Sequence, residues 1–216
     1  MAQGKLFPAA VHARCGRCGN RTDLRPGACA GAVIGADFCV AYPEITLEVV
    51  AEDRTVDLVE EQCDVAIRIN PSPDSSLVGR CFAKDRLVVV AAPSIAMPSG
   101  KAVHPVPGVV ISSFQPATWV LDGGRLVLEP VPRMQFSSFL MVRDAVIAAG
   151  GVALIPQSIA SEQLARGGLV QWGTLSGVEP ALRVLHTSRR LAAPKVRAFV
   201  DFICARYPDM SLVLKG

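Results

Sequence analysis

The pattern of apolar and polar positions predicts a strand, a helix and a second strand between residues 42 and 69. The apolar run from Ile45 to Val50 is typical of a buried strand. From Asp53 onward, apolar residues recur at helical spacing, at Val56, Val59 and Cys63. The second strand has apolar residues at alternate positions, Val65, Ile67 and Ile69. This order predicts a βαβ unit whose strands pair in parallel, and small polar ligands usually bind at the strand ends of such a sheet.

Further along the chain, apolar runs alternate with amphipathic segments. The strand-like runs are Leu87 to Ala92, Val109 to Ser113, Val152 to Ile155 and Leu182 to His186. The segment from Trp119 to Leu128 predicts a hairpin that turns at Asp122-Gly123-Gly124. The predicted helices run from Phe139 to Ala149, from Pro156 to Gly167, and over a last segment with Val196, Phe199, Val200, Ile203 and Tyr207 on its apolar face. The elements together predict an α/β protein.

Several segments, taken in order, resemble a known family. They are Tyr42-Pro-Glu, Asp64-Val-Ala-Ile-Arg68, Asp74-Ser-Ser-Leu-Val-Gly-Arg80, Ala148-Ala-Gly-Gly-Val-Ala-Leu-Ile-Pro156 and Pro194-Lys-Val-Arg-Ala-Phe-Val-Asp-Phe202. Over about residues 36 to 207, the chain is similar to the effector-binding domain of LysR-type bacterial transcription regulators. Two features depart from the family pattern. The Ser or Thr that the family supplies after its first strand falls in the unmatched N-terminal segment, and the family's Gly-x-Gly appears here as Ala149-Gly150-Gly151.

The resemblance implies an α/β fold of two Rossmann-like subdomains joined by two crossing strands, as in type 2 periplasmic binding proteins. Subdomain I is then expected at residues 36–91 plus 186–216, and the inserted subdomain II at residues 92–185. Residues 1–35 show little helical or strand periodicity and are predicted to be an atypical, poorly ordered N-terminal segment. The family's helix-turn-helix does not fit there, so DNA is expected to be bound only through such a domain, absent from this chain.

The resemblance also places a small-molecule cleft between the subdomains. The effector-binding residues that it implies are Arg68, Ile69, Asn70, Ser112, Phe114, Phe136, Ser137, Ser138 and Gly151. An anionic effector is favoured, because helix N-termini present N–H groups and a partial positive charge, and Arg68 can bind a carboxylate through two hydrogen bonds. Other interpretations remain open: Ser137 or Ser138 as a helix cap, Arg68 as an ion-pair partner of Asp64 or of a partner chain, and Phe114 and Phe136 as pocket walls.

Composition narrows the class of protein. The 216 residues are 50% apolar and 19% charged, and the weakly charged stretch from Ala102 to Leu121 is interrupted by prolines, so no membrane span is predicted. The N-terminal residues do not have the pattern of a secretory signal, and we therefore expect a cytoplasmic protein with no membrane partner. A net charge of +3, with scattered Lys and Arg, does not indicate a nucleic-acid surface.

The seven cysteines are expected to be reduced thiols, as is usual in the cytoplasm. Cys15-Gly-Arg-Cys18 has the spacing of half a zinc site, with His12, Cys29 and Cys39 as candidates for the remaining ligands. A second pair with matching spacing is missing from the sequence. Structural or accidental cysteines are therefore favoured over zinc, and a redox motif is least favoured because its strand and helix context is missing. We predict no metal and no cofactor.

The alternatives from other functional classes are an enzyme, a free-standing solute-binding protein and a truncated regulator without ligand binding. Catalysis requires converging groups, but the histidines are predicted in three unrelated places: His12 in the N-terminal segment, His104 in a proline-rich loop and His186 in a strand. The usual hydrolase, phosphate-binding and metalloprotease motifs are missing from the sequence, and so is the secretion signal of a solute-binding protein. We predict a non-enzymatic sensor that, as the resemblance implies, forms a homodimer or higher oligomer.

Overall fold

The computed structural model of the chain describes residues 10–16, 29–52, 64–69, 77–100, 102–112, 114–187 and 193–212. The strands are β1 (Ala10–Gly16), β2 (Thr46–Glu52), β3 (Val65–Ile69), β4 (Leu77–Lys84), β5 (Leu87–Ala91), β6 (Val103–Ile111), β7 (Trp119–Leu121), β8 (Leu126–Phe136), β9 (Val152–Pro156), β10 (Val170–Thr174) and β11 (Ala181–Thr187). The helices are α1 (Cys29–Ala41), α2 (Phe139–Ile147), α3 (Gln157–Ala165) and α4 (Pro194–Arg206), and a 3-10 turn (Asp122–Gly124) joins β7 to β8. Among the helices so described, none is long and apolar enough to span a membrane.

These elements form two compact units. The first unit contains the described residues up to Lys84 and from Ala181 onward, and the second unit runs from Asp85 to Pro180. The subdomain boundaries predicted after residues 91 and 185 lie a few residues later in the chain. The difference arises because β5 pairs within the sheet of the second unit and β11 pairs within the sheet of the first.

The sheet of the first unit has the strand order β2-β1-β3-β11-β4. Strand β1 lies between β2 and β3 and pairs antiparallel with both, so β2 and β3 run in the same direction. The prediction that β2 and β3 pair directly is wrong, because β1 occupies the place between them. The helix predicted from residue 53 lies outside the described residues. Two parts of the segment predicted to be poorly ordered are regular, since β1 lies within it and α1 begins within it.

Helices α1 and α4 supply much of the core of the first unit. The predicted apolar face of α4 is confirmed, because all five of its residues are buried there: Val196, Phe199, Val200, Ile203 and Tyr207. Phe38 of α1 is fully buried, and its ring centroid lies 5.0 Å from that of Phe199 and 5.4 Å from that of Phe202. Pro194 begins α4, where a missing N–H removes no helical hydrogen bond.

The sheet of the second unit has the order β10-β5-β9-β6-β8-β7, and an isolated bridge between Leu121 and Leu175 links the β7 end to the segment after β10. Strand β6 is parallel to β8 and to β9, and the other pairs are antiparallel. The predicted start of β6 needs correction, because the strand begins at Val103 and includes His104. Its prolines are compatible with a strand because β9 pairs with β6 only at Gly108, and proline is tolerated where its missing N–H faces an unpaired edge.

Helices α2 and α3 pack on one face of this second sheet. Their core contains buried residues that alternate along the strands, among them Val88, Val90, Val109, Ile111, Ala153 and Ile155. The predicted hairpin at Asp122–Gly124 is confirmed by antiparallel pairing of β7 with β8. Gly167 follows α3 with a φ of +74°, as expected for the glycine that ends a helix.

Candidate functional site

The ends of β6 and β8 lie side by side at one edge of the second sheet. Their parallel register continues to the pair Ile111 and Phe136, and the next backbone N–H, that of Ser112, donates to the Phe136 carbonyl oxygen at 2.8 Å. Helix α2 begins three residues after Phe136. The predicted site residues Ser112, Phe136, Ser137 and Ser138 are therefore brought together where two strands end and one helix begins, a usual place for ligands in α/β sheets.

Ser138 is the N-cap of α2. Its backbone is extended (φ −124°, ψ 131°), and its hydroxyl oxygen accepts a hydrogen bond from the Leu140 N–H at 3.3 Å. Ser137 is exposed beside it, and the first turn of α2 contains no acidic residue. The N–H groups of a first turn lie outside the helix's own hydrogen bonding, so this end of α2 is suited to an anion. The prediction that one of the two serines caps the helix is confirmed for Ser138.

A tight turn places Phe114 next to the same strand end. Ile111 and Phe114 form an isolated antiparallel bridge, in which the Phe114 N–H donates to the Ile111 carbonyl oxygen at 3.4 Å. Phe114 and Phe136 are half-buried and pack against the core beneath α2 and α3. Both rings therefore offer apolar surface beside the strand ends, and their interpretation as pocket walls stays a prediction.

Gly151 is buried at the start of β9 and has a φ of +154°. A Cβ atom at this position would lie 2.4 Å from the Pro107 carbonyl oxygen and 3.2 Å from Val109 Cγ2. Real Cβ atoms do not approach other atoms so closely, so the chain requires glycine here for β9 to pass against β6. The geometry gives Gly151 a structural role in holding these two strands together.

The remaining predicted site residues belong to the first unit. Arg68 and Ile69 are half-buried at the end of β3, and Arg68 is paired across the strands with Arg183 of β11. Two guanidinium groups at facing positions concentrate positive charge on this part of the sheet. Asp64, the ion-pair partner considered for Arg68, accepts a hydrogen bond from Lys195 Nζ at 3.0 Å. Asn70 lies outside the described residues.

Sequence reasoning missed Asp85, which is buried at the start of the second unit. Its carboxylate accepts hydrogen bonds from the Ser158 hydroxyl at 2.6 Å and from the Arg86 N–H at 2.7 Å, and its own N–H donates to the Pro180 carbonyl oxygen at 2.9 Å. Burial raises the pKa of the Asp85 carboxyl, and the hydrogen bonds oppose that rise. Asp85 thus links α3 to both points at which the chain passes between the units. No local sequence pattern connects Asp85 with Ser158, because 73 positions separate them.

A cavity of about 120 Å³ lies within the second unit. Its lining residues come from β6, β7, β8, β9 and the segment between β6 and β7: Val109, Val110, Ile111, Phe114, Gln115, Pro116, Ala117, Trp119, Pro130, Pro132 and Leu154. Val110 and Leu154 alternate along their strands with residues that face α2 and α3. Successive strand residues point to opposite faces, so these two side chains lie on the other face of the sheet. Among the predicted site residues that the structure describes, Phe114 alone lines this cavity.

The histidines and cysteines do not form a recognisable centre in the part of the chain that the structure describes. Within those residues, no group of three or more His, Cys, Asp or Glu side chains is placed to hold a metal ion. Cys18 lies outside them, and the side chains of His12, Cys15 and Cys29 are not described. The zinc alternative therefore stays a hypothesis from the sequence. His104 belongs to the second sheet and His186 to the first.

Comparisons with known proteins agree on one family. The model of the LysR substrate binding domain matches residues 34–208. The chain is 28% identical over 189 residues to an HTH-type transcriptional regulator of Xanthomonas campestris pv. campestris, covering 79% of this chain and 53% of that protein. It is 26% identical over 182 residues to the HTH-type transcriptional regulator PtxR of Pseudomonas aeruginosa, covering 78% of this chain and 57% of that protein. The chain thus spans little more than half the length of these two regulators.

A solved structure confirms the predicted fold. The regulatory domain of CrgA, a LysR-type transcriptional regulator from Neisseria meningitidis, is similar to the chain with a TM-score of 0.68 and 20% identity, covering 82% of this chain and 91% of that one. At this identity the similarity concerns the fold alone. The α/β fold with two subdomains, like that of a periplasmic binding protein, is therefore confirmed.

Proposed function

The chain belongs to the LysR substrate binding domain family, and on that premise we propose that it senses a small organic anion for a LysR-type transcription regulator. One observation supports the anion in particular. The N-terminus of α2, capped by Ser138 and without an acidic residue, lies beside the ends of β6 and β8. Its backbone N–H groups and the partial positive charge of the helix suit a carboxylate.

The surroundings of this helix end indicate what the rest of the effector resembles. Phe114 and Phe136 offer half-buried aromatic surface next to Ser112 and Ser138. A ligand with a carboxylate at the helix end and a short apolar or aromatic body would contact both kinds of surface. The positive charge of Arg68, in the first unit, is consistent with the same class of ligand. The predicted cleft between the subdomains stays a prediction.

The whole regulator would act on DNA as an oligomer in the cytoplasm. We propose that DNA is bound by a helix-turn-helix domain, as the names of the two related HTH-type regulators suggest for those proteins. A second copy of the chain would bind at α1 and β2, because Val40 of α1 is 83% exposed, Val49 of β2 is 40% exposed and β2 is an edge strand. Effector binding would then favour one arrangement of the oligomer over another.

The anion proposal is tested by thermal unfolding of the chain with acetate, propionate and benzoate, each beside its uncharged amide. A carboxylate that binds only the folded state raises the unfolding midpoint, and above Kd the rise follows the logarithm of its concentration. At 100 Kd the free energy of unfolding increases by about 2.7 kcal/mol. The Ser137→Ala variant should reduce this response while leaving the unbound midpoint nearly unchanged, because Ser137 does not cap the helix. Ser161→Ala, on α3, is the matched control. Equal responses to acids and amides would contradict an anionic effector.

A further inference from the structure

We infer that Arg68 and Arg183 together bind a doubly charged oxyanion, such as a phosphate monoester, on the sheet of the first unit. This site would deepen the proposed function and rests on it in one respect, because the resemblance implies Arg68 as an effector-binding residue. Arg183 is not among the residues that the resemblance implies. The helix end proposed for a carboxylate belongs to the second unit and shares no residue with this pair.

The register of β3 and β11 puts the two arginines on the same face of the sheet. Arg183 lies directly opposite Arg68, and in such a pair the Cβ atoms are about 4.5–5.5 Å apart. Ile67 and Val184, the adjacent residues, belong to the core that α1 and α4 cover. Successive strand residues point to opposite faces, so the arginines lie on the other face. At this separation, two guanidinium groups can contact one compact ligand group at the same time.

The positive charge of the pair is not offset at the neighbouring positions of the sheet. The described residues around the pair on this face are Ala66, Cys81, Ala181 and Leu185, and none of them is acidic. Arg183 is exposed, and no carboxylate among the described residues pairs with its guanidinium. Like charges at facing positions destabilise a sheet, whereas a dianion between them would attract both. Arg68 can keep protein partners and still bind a ligand, because a guanidinium has five N–H donors.

The pair lies where the buried part of this face ends. In the adjacent row, Ala66 and Leu185 face each other and are 0% and 3% exposed. Arg68 is half-buried, and Arg183 is exposed. A ligand here would be partly withdrawn from water, where charge-assisted hydrogen bonds are stronger, and would still be accessible from solvent. Arg68 also lies next to the end of β3, and strand ends are a usual place for ligands in α/β sheets.

The test compares methyl phosphate with dimethyl phosphate at about pH 8. Methyl phosphate is a dianion there, because its second pKa is about 6, whereas dimethyl phosphate carries a single charge. Binding to the whole chain is followed by line broadening of the 31P signal of each ligand. Methyl phosphate should bind about tenfold more tightly, the effect of one additional charge-assisted hydrogen bond. Added salt should weaken its binding, because the site is partly exposed.

Three variants locate the effect. Arg183→Gln should lower the affinity for methyl phosphate to that for dimethyl phosphate, whereas Arg183→Lys should retain part of it, because lysine keeps the charge without the planar fork. Arg197→Gln, exposed on α4 at the other face of the sheet, removes the same charge and is the matched control. Without ligand, Arg183→Gln should be no less stable to urea than the original chain, because it relieves the repulsion.

Four results would overturn the site. They are equal binding of the two phosphates, unchanged methyl phosphate binding by Arg183→Gln, an equal loss in Arg197→Gln, and a loss of stability in ligand-free Arg183→Gln, which would make the arginine structural. Failure of the proposed function would look different. If acids and amides gave equal responses while methyl phosphate binding still required Arg183, the helix-end site would be wrong and the arginine site would stand.

Discussion

The two units of the chain are stabilised in different ways. In the first unit, aromatic rings meet in the core: Phe38 lies against Phe199 and Phe202, and Phe82 against Tyr207. In the second unit, the core beneath α2 and α3 is mainly aliphatic, and Phe114 and Trp119 lie at the cavity.

The units also differ in their backbone. The second unit contains every described glycine with a left-handed φ and two non-glycine residues of that kind, whereas the first unit contains one such residue, Met210, in its described part. The first unit is thus stabilised by aromatic rings that fill its core, whereas the second unit contains more tight turns and close strand approaches.

The largest effect on stability is expected from a variant that removes one ring from the aromatic cluster of the first unit. Phe38→Ala should lower the free energy of unfolding by about 3–5 kcal/mol, because it removes a fully buried ring. Arg197→Ala, exposed on α4 of the same unit, should change it by less than about 0.5 kcal/mol. Urea unfolding followed by fluorescence reports on the two units separately. Both tyrosines, Tyr42 and Tyr207, lie in the first unit, and both tryptophans lie in the second. An equal loss for both variants would mean that the ring cluster does not stabilise this unit.

The next largest effect is expected where β9 passes close to β6 in the second unit. Gly151→Ala should cost about 2–3 kcal/mol, because the added Cβ would lie 2.4 Å from the Pro107 carbonyl oxygen at a left-handed φ. Gly167→Ala is the control, since its φ is also positive, at +74°, but the space around its Cβ position is open, and it should cost about 1 kcal/mol. Urea unfolding followed by tryptophan fluorescence measures both. Equal costs would show that β6 and β9 can move apart to accept the methyl group.

The contrast also explains which features the sequence predicts. Local spacing is sufficient to find three features, because each depends on residues that are close together in the sequence. They are the apolar face of α4, the Asp122–Gly124 turn and the Ser138 cap. Strand β1 was missed because its pairing with β2 and β3 depends on distant residues, and the start of β6 was missed because prolines usually indicate a loop. The Asp85–Ser158 pair and the cavity at Trp119 each join residues separated by many positions. Such groupings exist only after the sheet has formed.

The titration of Asp85 should make the stability of the second unit depend on pH. Burial raises the pKa of Asp85 above its usual 3.8, so the folded state binds this proton more tightly than the unfolded state. The stability that this group contributes is present below pH 3.8 and is lost as the pH rises through the higher folded pKa. The new side chain of the Asp85→Asn variant does not titrate. As the pH rises from 3.8 through the folded pKa of Asp85, the variant should therefore become more stable relative to the original chain, by about 1.4 kcal/mol per unit of pKa difference.

Asp122→Asn is the control with the opposite sign. Hydrogen bonds from the Thr174 N–H and the Arg125 side chain lower the pKa of the Asp122 carboxyl. Its contribution to stability is therefore present above pH 3.8 and is lost as the pH falls through the lower folded pKa. The asparagine variant should be less stable than the original chain near neutral pH and should approach it in acid. Parallel pH profiles for the two variants, measured by urea unfolding from pH 3 to pH 7, would contradict the assignment.

The smallest effect concerns a left-handed position in the second unit that is not glycine. Ala149 follows α2 with a φ of +58°, and the motif that ends the helix is complete: its N–H donates to Val146 and that of Gly150 donates to Ala145, both at 2.9 Å. Ala149→Gly should therefore stabilise the second unit by about 1 kcal/mol, by removing the steric cost of an L-residue there. Ala165→Gly, inside the last turn of α3, should destabilise it by a similar amount.

The same variant separates stability from ligand binding. Ala149 lies at the end of α2 opposite to Ser138, so Ala149→Gly should raise the unfolding midpoint without changing the additional rise that a bound carboxylate produces. Thermal unfolding by tryptophan fluorescence, with and without ligand, measures both quantities in one series. A change in the ligand-induced rise would mean that the C-terminal end of α2 determines the position of its N-terminal end. The anion site would then include the motif that ends the helix as well as the serines that begin it.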